Sequence, residues 1–86
     1  MPDSKDTLYL VYIREPEAEI DPSEFHHLLK LDDGVWLVRS GLSRSKVYHS
    51  FKRAARPARL LVAPLADDPK FKGMREGALK ALRSGL

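Results

Sequence analysis

No cysteine occurs anywhere in the chain, and its 86 residues include only three histidines and one tryptophan. Without thiols there is no disulfide framework, no thiolate nucleophile and no cysteine-based zinc site, and three histidines are few for a metal centre. The absence fits a reducing compartment, and a cytoplasmic location is expected. Long apolar runs are missing as well. TLYLVYI at 7–13 follows two aspartates and spans seven residues, too short for a signal peptide's apolar core with its cleavage site or for a membrane span, so no membrane association is expected. Nucleotide and acyl-transfer motifs are lacking too: SGLS and KGMREG do not have the spacing of a nucleophile elbow or a phosphate-cradling loop.

The most informative absence is local. Residues 34–66 contain seven Lys or Arg side chains and no Asp or Glu. The preceding 33 residues hold three basic and nine acidic residues for a net charge of −6, and residues 67–86 carry +2, so the overall +3 conceals a segregation. Either the acidic third folds against the basic third, or the fold sorts them apart and leaves a positive face open to phosphate.

The length and the 43% hydrophobic content suit one domain over 1–86, with 1–6 flexible. A chain this short buries only about 60 to 65% of its unfolded surface, so a homodimer is expected to add stability. The run at 7–13 reads as a central strand. IDPSEFHHLLKL carries a helix start, with Asp21 as cap, Pro22 at the first helical position, Glu24 three residues after the cap, and Ile20 set to staple against Phe25. A helix over 22–31 is the preferred reading, because four positions agree on it. LLKLDDGVWLV also reads as two strands joined at Asp33-Gly34, a favoured hairpin pair, and a short helix with a stub of strand lies between the two readings. GVWLVRS is a strand containing Trp36. Ser43 can cap a helix with Val47, Phe51, Ala54 and Ala55 on one side and Lys46, His49, Arg53 and Arg56 on the other, ended by Pro57. ARLLVAPL follows as a strand whose Pro64 suits an edge, and a last short helix turns Ala78, Leu79 and Leu82 inward. Trp36 and Phe51 are expected in the core.

The run WLVRSGLSRSKVYHSFKRAARPARLLVAPL, the terminal LKALRSGL and the opening LYLVYIREPE resemble small ferredoxin-like proteins of the CRISPR-associated endoribonuclease type, especially their uncharacterised stand-alone relatives. The resemblance covers most of the chain through hydrophobic patterns and caps. It implies an α+β fold, an α/β sandwich that is ferredoxin-like or truncated ferredoxin-like in the order β-α-β(β)-α-β-α, and a dimer. Two departures count. Where the family's nucleases end the first strand in a metal-holding Asp, this chain has Tyr12, Ile13 and Arg14, and it is shorter between Lys30 and Trp36, which would remove much of the second strand.

Divalent-metal phosphodiester chemistry needs converging carboxylates. The candidates are Asp32-Asp33, Asp67-Asp68 and Glu15, and the adjacent pairs beside Gly or Pro suit turns better. On a helix His26 and His27 would point about 100° apart and could not clamp a metal together. No classical enzyme, catalytic residue, metal site or cofactor is expected. What remains is Arg39, Arg44, Lys46, Lys52, Arg53, Arg56 and Arg59, with Tyr48 on the helix flank able to stack on an unpaired base. Arg39 and Arg44 flank the helix start, where backbone N–H groups also favour anions. A non-catalytic, dimeric RNA- or DNA-binding module is one reading. A protein-interaction or toxin–antitoxin-like regulatory module, docking an acidic partner or a second copy, is another. A metal-dependent endoribonuclease is the third and weakest.

Overall fold

The computed structural model of the chain describes residues 6–25 and 27–84; the expected flexible start, apart from Asp6, and any reading of His26 fall outside them. Four antiparallel strands form one sheet: β1 (Thr7–Arg14), β2 (Leu28–Asp32), β3 (Val35–Ser40) and β4 (Arg59–Pro64), in the order β2-β3-β1-β4. Two helices, α1 (Arg44–Ala55) and α2 (Ala78–Arg83), complete an α+β domain with the strand arrangement of the ferredoxin-like fold. β1 is central, as its unbroken apolar character predicts. Tyr9, Val11 and Ile13 face α1 and pack with Val38, Val47 and Phe51; Leu8 and Leu10 face the other side, with Leu31, Leu37, Ala78 and Leu82.

The helix expected over 22–31 does not form. Its start does: the amide of Ser23 donates to Asp21 Oδ1 at 2.9 Å, and Pro22 opens a turn. The turn ends after Pro22–Glu24, and His27 takes φ 56° as the chain swings into β2. A cap contributes on the order of 1 kcal/mol. The alternative offers a strand ladder along β3 together with burial of Leu31, and it wins. Asp33 and Gly34 join the two strands, so the hairpin reading holds and the second strand survives the short spacing between Lys30 and Trp36.

Where a full first helix would lie, Ile20 and Phe25 pack against the core, and Phe25 stacks flat on Phe51 with centroids 4.4 Å apart. Phe51 is fully buried as expected, whereas Trp36 is only half-buried at the core's margin, with Lys30 Nζ 5.4 Å from its ring centre. Ala78 and Leu82 turn inward on α2, but Leu79 is exposed.

α1 follows its sequence cues closely. Ser43 Oγ accepts from the Lys46 amide, and Val47, Phe51 and Ala55 form the buried stripe. Its last carbonyl, that of Ala55, receives the amides of Glu17 and Ala18 at 2.8 and 3.2 Å, which ties the acidic loop to the helix end. Arg56 closes the helix in the left-handed region, φ 44° and ψ 55°, a conformation that costs a non-glycine residue about 1 kcal/mol or more. Arg56→Gly should therefore raise stability by roughly 0.5 kcal/mol after the flexibility it adds to the unfolded chain. Urea denaturation checks this; a net loss would show that the exposed pair with Glu17 outweighs backbone strain.

Candidate nucleic-acid interface

The seven cations do not form one site. Arg39 lies on the sheet face opposite α1, in step with Leu37, and its guanidinium is 3.9 Å from Asp68. It does not join Arg44 at the helix start, so the expected anion position there loses half of its side-chain charge. Arg56, diverted by its left-handed backbone, lies 3.8 Å from Glu17. Arg59 opens β4 directly across the ladder from Arg14, which itself donates to Tyr12 Oη at 2.9 Å and pairs with Asp33 at 4.0 Å.

Arg44, Lys46, Lys52 and Arg53 on α1 are all exposed and without a carboxylate partner among the described residues; Lys46 and Arg53 share the side opposite the buried stripe, while Arg44 sits in the first turn in line with Phe51. The helix contains no Asp or Glu, so nothing along its length neutralises them. Lys46 and Arg53 are seven residues apart and nearly in line, about 10.5 Å along the axis. Lys52 lies toward the flank where Tyr48 is half-buried, its ring edge-on to His49 at 5.2 Å. Tyr48 thus sits at the core margin with part of its ring exposed.

The acidic candidates are dispersed. Asp33 belongs to the hairpin turn, Asp67 accepts from the Asp68 amide at 2.8 Å, Asp68 faces Arg39, and exposed Glu15 takes φ 52° beyond β1. Among the described residues no three His, Asp or Glu side chains gather where a metal ion could be held. At Asp21 the Ser23 hydroxyl and then its amide donate to the carboxylate and hold its pKa below the ordinary value. Among the described residues no helix is long and apolar enough to cross a membrane.

A cleft of about 620 Å³ opens beside α1, between Ser50, Arg53 and Ala54 on the helix and Glu24, His27 and Ser40 across it. It exists because the segment between β1 and β2 makes a single turn in place of a helix. The signal available in the sequence was the period-two pattern of Leu29, Leu31, Val35 and Leu37, which claims those residues for strands.

No family model matches the sequence, and no match is found among curated proteins or solved structures. The resemblance to CRISPR-associated proteins therefore rests on the hydrophobic pattern and caps alone.

Proposed function

We propose that this is a small non-catalytic nucleic-acid-binding domain that grips backbone phosphates with the exposed cations of α1. The observation that supports this reading is the set of four exposed helix cations, Arg44, Lys46, Lys52 and Arg53, with no acidic residue on the helix and no ion pair among the described residues. An exposed cation face without carboxylates is costly in self-repulsion and attracts polyanions at long range. Contacts of this kind read charge and spacing, not base identity.

The test is fluorescence anisotropy of labelled RNA and DNA, single- and double-stranded, at about 50 and 200 mM salt. With four phosphates neutralised, the log-log salt slope on duplex should be roughly −3 to −4. Lys46→Glu with Arg53→Glu should leave folding intact and remove binding, while Arg39→Ala, on the opposite face, should change it little. Absence of binding at the lower salt would send these charges to an acidic protein partner.

A further inference from the structure

The sheet's two edges are unequal. β2 is short, is interrupted by an irregularity between Lys30 and Asp32, carries a lysine, and is partly closed by the Arg75 amide, which donates to the Leu31 carbonyl at 2.6 Å. These are devices that keep an edge strand from pairing. β4 has an open edge. The Leu65 amide donates to the Leu8 carbonyl at 2.8 Å, and the register sets Ala63 opposite Leu10 and Leu61 opposite Tyr12. Arg59, Leu61 and Ala63 therefore bond to β1, and Leu60, Val62 and Pro64 turn their backbone groups outward. Pro64 sits where its missing N–H takes nothing from the β1 ladder. Among the described residues no backbone bond reaches the outward amides of Leu60 and Val62. Beside them Leu61 is 49% exposed.

We infer that β4 pairs antiparallel with β4 of a second copy of this chain, centred on Leu61, so that two sheets join into one. In this register Leu60 of each copy exchanges both hydrogen bonds with Val62 of the other. Every outward N–H of the strand is used, and Pro64 falls just beyond the paired stretch. The two Leu61 side chains meet as a non-hydrogen-bonded pair, with Cα atoms about 4.5 Å apart, and cover each other.

Charge sets the direction. β4 is entered past Arg56 and Arg59 and left toward Asp67 and Asp68, so an antiparallel partner runs its acidic exit alongside the basic entry. A parallel partner would align like with like. Arg59 in particular faces Arg14 across the ladder and has no carboxylate partner among the described residues, and like charges placed opposite are destabilising. A few backbone bonds and one leucine pair make a small interface, so the dimer is weak and concentration-dependent. It brings both α1 helices to the same face of the joined sheet, and it stands independently of what α1 binds.

Sedimentation equilibrium of the full chain from about 10 μM to about 1 mM, a range that captures micromolar to sub-millimolar dissociation constants, should show the mass rising toward twice the monomer's. Over the same range the Leu60 and Val62 amides should gain protection from hydrogen exchange, while those of Leu61 and Ala63, already bonded to β1, should not. Leu61→Lys, at a half-exposed site, should weaken the dimer at least tenfold. A monomer at the highest concentration would end the proposal and leave the edge to a strand of another protein. So would a dimer in which the Leu60 and Val62 amides exchange at the monomer's rate. The exchange measurement uses the unaltered chain and decides the matter even if the variant fails to fold.

Discussion

Replacing Phe51 with alanine should cost about 3 to 5 kcal/mol. Phe51 is 0% exposed, and it is the side chain through which α1, the sheet and the segment before β2 meet. On one side it packs among Val11, Val38 and Val47; on the other its ring stacks on Phe25 with an interplanar angle of 9°. Truncation therefore removes more than one side chain's transfer energy. Phe25 loses its stacking partner, and the segment holding Asp21 to Phe25 has few other anchors in the core. A domain of this size has a total stability of about 4 to 13 kcal/mol, at roughly 0.05 to 0.15 kcal/mol per residue, so the alanine variant should lose a large share of it. Phe51→Leu, which keeps most of the volume, should cost less than about 1.5 kcal/mol if the core repacks around it. Urea denaturation of both measures the difference. An alanine penalty below about 1 kcal/mol would mean that α1 does not dock through this residue.

The second large effect is expected at the hairpin. Gly34→Ala should destabilise by about 2 to 4 kcal/mol, from two sources that can be separated. Gly34 has φ 73°, where an alanine pays about 1 to 2 kcal/mol. In addition, a methyl group there would overlap the carbonyl oxygen of Ile13, which belongs to the central strand and cannot swing aside. Moving it would disturb the bond from the Ile13 amide to the Gly34 carbonyl at 2.7 Å, which continues the β1–β3 ladder into the turn. Gly73 supplies the control. Its φ is 75°, nearly the same, but nothing lies within 4 Å of the added carbon, so Gly73→Ala should carry the backbone cost alone. Equal penalties at the two positions, compared by urea denaturation, would mean that the turn yields and the contact with Ile13 is immaterial.

Much of the architecture was written in local patterns. β1, α1 with its Ser43 cap, and β4 ending at Pro64 all follow from apolar period, cap chemistry and proline placement. The segment 22–31 was misread for a physical reason. Asp21, Pro22 and Ser23 do make the start of a helix, but such signals act over one turn, whereas the fate of Leu28 to Leu31 is set by β3, whose outer ladder they complete. Arg39 was misassigned because sequence proximity to the helix start says nothing about which sheet face a strand residue takes; its step with Leu37 places it on the far side, next to Asp68. The amphipathic period assigns Lys46 and Arg53 to the outer side of α1 without help from distant parts of the chain, whereas Arg56, expected beside them, is turned toward Glu17 by a left-handed C-cap that the period does not reveal. The open β4 edge is half legible in the sequence: Pro64 marks it, but which amides point outward is set by the bond from the Leu65 amide to the Leu8 carbonyl.

The central place of β1 has a consequence for how the chain reaches this state. Both of its neighbours come later in the sequence, and one of them, β4, is separated from it by the β2–β3 hairpin and α1. The stretch Leu8 to Ile13 precedes in sequence both strands that pair with it. It is apolar, rich in β-branched and aromatic side chains and free of charge, which is the composition that favours intermolecular strand pairing. Loop closure across most of the chain must precede its burial, so folding should be slow for so small a domain. The apolar character that seals the sheet's centre thus also makes this stretch the one most prone to pairing with other chains until β3 and β4 are in place.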